Sequence, residues 1–123
     1  MISRTFSRPP AVLAAAAIAL FSAFPSSSQT ATQAAARQLI TAEDKGHCQA
    51  CHQFPNDPAI KTRATVGPAL AGMRLRFPDR ARLAAIVRDA RSANTETVMP
   101  PYGPHRILTE NEISMIVDYL FSQ

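Results

Sequence analysis

Three features of the sequence predict a small all-α domain of three to five helices joined by long loops. No run alternates apolar and polar residues long enough to argue a strand. Two segments instead carry apolar residues at helical spacing: Leu83, Ile86, Val87 and Ala90, then Ile113, Ile116, Val117 and Leu120. Between Phe54 and Pro78 the chain is broken by Pro55, Pro58, Gly67, Pro68 and Gly72, which favour loops and short turns. Loops that long in so small a domain imply that something large fills the space they enclose.

Of the 123 residues, Met1–Phe24 reads as a secretory leader. Arg4 and Arg8 open it, Ala11–Phe24 is apolar apart from Ser22, and Pro25 with Ser26–Ser28 offers a small, polar region to cut. The expected division is a leader over 1–28, with the cut between 28 and 34, and one domain over 29–123. The apolar run is short for a membrane span and no second one follows, so none is expected in the mature chain. A mature length of about 90–95 residues excludes a two-domain enzyme with a roomy cleft. It also lies near the size at which an apolar core alone becomes marginal.

The elements follow in order. Ala34–Asp44 is rich in helix formers, Ala36, Leu39 and Ile40 share a face, and Gly46 is placed to end the helix. Cys48–His52 fits a further helical turn. Asp79 can cap a third helix that carries the Leu83–Ala90 stripe, and Ser92–Pro104 returns to loop. The last helix is announced by Thr109-Glu110-Asn111-Glu112, a capping box, with Leu108 and Ile113 placed as the hydrophobic staple across it.

Charge excludes one class of partner. Without Arg4 and Arg8 the mature chain has eleven basic and nine acidic residues, largely interspersed. A nucleic-acid binder shows a basic stripe with a reading module, and neither is present.

The two cysteines, Cys48 and Cys51, are too close for a bridge that would staple the fold. With His52 they form Cys48-Gln49-Ala50-Cys51-His52, the C-x-x-C-H of covalent haem attachment. On one helical turn, positions i, i+3 and i+4 face the same way. Two thiols so placed can add to the two vinyl groups of a porphyrin, and the adjacent histidine then reaches the iron. One covalent haem c would also complete a marginal core. A thioredoxin-like redox pair would want an α/β sheet that this chain lacks. A zinc site would need a fourth ligand, for which His47 and His105 are the candidates.

The second axial ligand comes from Met73, Met99, Met115 or His105. Met115 lies on the side of the last helix away from the buried face, Met73 reads as core packing, and His105 reads as a loop histidine. Met99 precedes Pro100-Pro101, which forces it into extended backbone and removes two donors, so a stiff loop can project its thioether at the iron. Histidine–methionine ligation closes both faces and raises the potential, as an electron carrier requires.

With its haem motif followed by Gly67-Pro68, the chain resembles class I cytochromes c. That resemblance implies that the Pro68 carbonyl accepts the hydrogen bond from the other nitrogen of His52. More narrowly, Val66-Gly67-Pro68, Gly72-Met73, Phe77-Pro78-Asp79-Arg80 and Val98-Met99-Pro100-Pro101-Tyr102-Gly103 through His105-Arg106-Ile107-Leu108-Thr109 resemble the SoxX family. SoxX is the small monohaem subunit of the SoxAX complexes of sulfur-oxidising bacteria. The resemblance implies a periplasmic electron-transfer subunit with Cys48 and Cys51 holding the haem and His52 and Met99 ligating it. Its partners would be a SoxA-type cytochrome subunit, in a heterodimer, and a soluble cytochrome c acceptor. The complex would act as an L-cysteine S-thiosulfotransferase, with catalysis in the larger subunit and none in this chain. By the same resemblance Val98–His105 would form the docking surface, with Tyr102 either its aromatic anchor or packed against Met99. A free-standing monohaem carrier and a gas-binding cytochrome are the alternatives.

Overall fold

Alanine-rich sequence and one apolar face make the first helix, α1, Ser27–Thr41, in a computed structural model that describes residues 27–123. The leader reading therefore lies outside the described residues except for its last two, and the expected cut at 28–34 falls on exposed first turns of α1. Those turns carry no apolar stripe, which is why the pattern of the sequence places the start seven residues late, at Ala34. Ala36 and Ile40 are fully buried. The helix ends at Thr41, before the expected Asp44, and Gly46 closes it by donating from its backbone N–H to the Leu39 carbonyl at 3.0 Å. A Cβ at Gly46 would stand 2.9 Å from that carbonyl oxygen, so only glycine permits the approach.

His47, in left-handed backbone at φ 43°, turns the chain into a single 3-10 turn over Cys48–Ala50. The stretch from 51 to 72 is loop, as the prolines and glycines dictate. It ends at Gly72, whose φ of 61° admits a four-residue helix, α2, Met73–Arg76, that the periodicity did not announce. α3, Arg80–Arg88, is capped by Asp79, whose Oδ1 accepts from the Ala81 N–H at 2.8 Å. Its apolar stripe outruns it: Ala90 is buried but belongs to a separate 3-10 turn, Ala90–Ser92, capped by Asp89.

The final helix, α4, Glu110–Phe121, has both halves of its capping box. Thr109 Oγ1 accepts from the Glu112 N–H at 3.2 Å, and the Thr109 N–H donates to Glu112 Oε2 at 2.7 Å. Leu108 and Ile113, the staple, are both buried. α1, α2 and α3 each pack on α4, which makes α4 the spine of the molecule. The described residues contain helices and no strand, which is the small all-α architecture with long loops that the sequence predicts.

One polar group is taken into this core. Asp57, 5% exposed, accepts from Arg37 Nε at 2.7 Å, from the Ala59 N–H at 2.9 Å and from the Tyr119 hydroxyl. It ties α1, the loop and α4 together. Burial by itself would raise the Asp57 pKa; the hydrogen bonds from Tyr119, Arg37 and Ala59 outweigh it and hold the carboxyl below its ordinary range. A carboxyl lowered on folding stabilises the fold above its unfolded pKa, and that contribution is lost as pH falls through the lower folded value. Asp57→Ala should therefore destabilise the haem-loaded protein by about 2 kcal/mol at pH 7, because the Tyr119 hydroxyl loses its acceptor in the interior. Urea melts should show this gap from wild type narrowing on acidification through the folded Asp57 pKa; a gap constant down to full protonation would remove the ionised network as its source.

Candidate haem-attachment site

The Cys48–Ala50 turn is held by backbone bonds from Cys51 and His52 to the Cys48 carbonyl, at 3.2 and 2.9 Å. A second strand of loop runs beside it. The Gly67 N–H donates to the Cys51 carbonyl at 2.8 Å and the Leu70 N–H to the Gln53 carbonyl at 2.8 Å. This pairing sets His52 Nδ1 2.7 Å from the Pro68 carbonyl oxygen. The His52 ring lies against Gly67: a Cβ there would come within 2.3 Å of it. A carbonyl only accepts, so Nδ1 carries the proton, and in the neutral ring the lone pair is on Nε2.

Cys48, Cys51 and His52 line one cavity of about 860 Å³, within the roughly 300–1,000 Å³ range of small-molecule sites. Its walls include Phe54, Leu83, Ile116 and Leu120 from the core and Met99 and Tyr102 from the late loop. Neither cysteine is in a disulfide, and both are partly buried. Burial pushes the Cys48 thiol up to about 11, which is the wrong direction for a redox pair that works through a thiolate. Among the described residues no group of three or more His, Cys, Asp or Glu comes together as a metal cluster, so nothing there assembles a zinc site. Two separated thiols, an imidazole with a free Nε2 and a large apolar cavity fit a porphyrin tethered at its edge.

The methionines separate cleanly. Met73 and Met99 line the cavity and Met115 does not. Met73 is 2% exposed and its sulfur takes a hydrogen bond from Arg76 Nη1 at 3.4 Å. Met115 packs partly against the core, more than its position on the helix suggests, with Asn111 Nδ2 3.7 Å from its sulfur. Met99 is partly buried, and its backbone N–H is taken by Thr97 Oγ1 at 3.1 Å. His105 is exposed and lies off the cavity.

Tyr102 requires a correction. It is 6% exposed, lines the cavity, and donates its hydroxyl to the Gly46 carbonyl at 2.6 Å. A side chain so enclosed is no anchor for a partner, and the exposed apolar groups near the cavity are Val66 and Val98 instead, 67% and 80% exposed. Neither the Tyr102 bond nor the Asp57 network is visible in local sequence, since each joins residues more than fifty positions apart.

The fold and this site together define a c-type cytochrome, an electron-transfer protein with covalently bound haem. The family model described as cytochrome c oxidase, cbb3-type, subunit III matches residues 31–120, and the chain belongs to that family. No curated protein matches it. No helix of the described residues is long and apolar enough to cross a membrane.

Haem stain should survive denaturing electrophoresis of the wild-type chain and vanish from a Cys48→Ala, Cys51→Ala double variant, which should also fold poorly. Gly67→Ala should keep the stain, because the thiols are untouched, but lose about 1–3 kcal/mol in denaturant melts as its methyl displaces the His52 ring. Unchanged stability would mean that the 66–68 segment yields freely.

Proposed function

We propose that this chain is the monohaem electron-transfer subunit of a SoxAX-type complex, exported to the periplasm by the leader at 1–28. The observation that carries the reading is the run Val98-Met99-Pro100-Pro101-Tyr102-Gly103 through His105-Arg106-Ile107-Leu108-Thr109, which resembles SoxX in a Met-Pro-Pro loop that leads into a capped helix, with Pro104 where that family commonly has a basic residue and with Met99 lining the cavity. In this role Cys48 and Cys51 tether one haem. His52 ligates through Nε2 while the Pro68 carbonyl holds the proton on Nδ1, which orients the ring and raises its donor strength. Met99 would hold the iron from the late loop, and a thioether donor there would favour the reduced state. When bound, the haem supplies a one-electron couple; the chain's residues position it and set its potential. A SoxA-type subunit delivers electrons released in thiosulfate oxidation, and a soluble cytochrome c accepts them. Docking uses the exposed apolar groups beside the cavity, Val66 and Val98, in place of Tyr102.

A free-standing carrier is the second reading, favoured by one observation: with Tyr102 buried, the loop loses the aromatic group best suited to a permanent interface. Purification from a sulfur-oxidising host separates the two. A fixed subunit co-elutes with a larger cytochrome and its haem is reduced on thiosulfate addition, whereas a carrier elutes as a small monomer.

Met99→Ala should open the reduced protein to carbon monoxide, abolish the weak long-wavelength sulfur–iron band and lower the potential. Met73→Leu and Met115→Leu should keep that band. Loss of the band in Met73→Leu alone would transfer the ligand role to Met73.

A further inference from the structure

We infer that Tyr102 is a positioning residue whose hydroxyl latches the Met99 loop to the segment that leads into the haem-attachment turn. The inference rests on the reading of Met99 as axial ligand. The loop has few other ways to be held. Pro100 and Pro101 have no N–H to donate, and the Met99 N–H is spent on Thr97 Oγ1, two residues back in the same loop. Beyond the two prolines the chain is tied to the end of α3 through the Gly103 N–H and the Arg88 carbonyl, 2.9 Å apart. With the bonds that the Pro101 carbonyl accepts from the His105 N–H at 3.0 Å and the Tyr102 carbonyl from the Ile107 N–H at 2.9 Å, that contact fixes the far end of the loop, and none of these bonds reaches across the cavity to the haem-attachment turn.

Tyr102 supplies the other tie. Its ring fills the cavity wall, and its hydroxyl meets the Gly46 carbonyl at 2.6 Å, a bond that spans fifty-six positions of sequence. The acceptor is itself fixed, because the Gly46 N–H is bonded to the Leu39 carbonyl at the end of α1. Both residues are buried, and no other hydrogen bond reaches that carbonyl among the described residues. Opening the loop would strand the carbonyl and the phenol together. A bond of this kind shifts the ratio of closed to open loop about tenfold.

The test is Tyr102→Phe in the full haem-loaded chain, which keeps the ring and removes only the donor, with Met99→Ala as reference. Carbon monoxide with the reduced protein and imidazole with the oxidised protein are the probes. Tyr102→Phe should retain haem stain and helix content yet bind both probes about tenfold faster than wild type. Wild-type binding rates in Tyr102→Phe, with Met99→Ala open to both probes, would overturn the latch and leave the ligand assignment standing. Exclusion of both probes by Met99→Ala would overturn the ligand assignment and the latch with it. Should Tyr102→Phe fail to hold haem, wild-type protein decides. The Tyr102 hydroxyl proton, followed by NMR, should exchange faster once imidazole is bound, and unchanged exchange would overturn the latch.

Discussion

The hydrogen bond between His52 and the Pro68 carbonyl assigns each ring nitrogen its task, and the rest of the site is arranged around that assignment. With Nδ1 committed to a carbonyl, the tautomer is decided and Nε2 is the only nitrogen left to a metal. Two backbone bonds place that carbonyl, from Gly67 to Cys51 and from Leu70 to Gln53. The absence of a side chain at Gly67 lets the ring lie flat against the loop. A loop with little regular structure therefore positions the imidazole, because it is bonded to the same short turn that carries the thiols.

α4 holds these loops in place from the other side of the molecule. Its buried residues Ile116 and Leu120 also line the cavity, so one helix face serves the core and the site at once. Its first turn takes two cations, Lys45 on Glu112 and Arg88 on Glu110, and these join the segment before the haem motif and the end of α3 to the helix N-terminus. Acidic groups in a first turn suit the helix dipole, but exposed pairs contribute little, and the apolar packing of α4 carries the greater share.

What was legible in the sequence was local. The capping box at Thr109, the Asp79 cap and the Cys48–His52 turn each involve residues within four positions of one another, and all three stand in the structure. The start of α1 was hidden because its first turns are solvated and carry no stripe, and α2 because four residues are too few for a period. Tyr102 was ambiguous for a different reason. An aromatic residue after two prolines suits an interface as well as a core, and its acceptor lies far away in sequence at Gly46. Loop length implies the cavity and the two prolines point Met99 toward it, but nothing local marks Met73 as a second methionine on its wall.

The Asp57 network bears on the order in which this chain folds. Its partners lie twenty and sixty-two positions away, on α1 and α4, so it forms only after a long loop has closed. The turn that carries the thiols needs no such closure; its bonds span three and four residues. Attachment chemistry is thus available to a chain whose terminal helices have not yet met. A seam made of distant segments forms slowly, and the carboxylate within it penalises any pairing of α1 and α4 that leaves it without Arg37 and Tyr119. The acid that ties the finished molecule together is satisfied in the one arrangement of α1 and α4 that brings both Arg37 and Tyr119 to it.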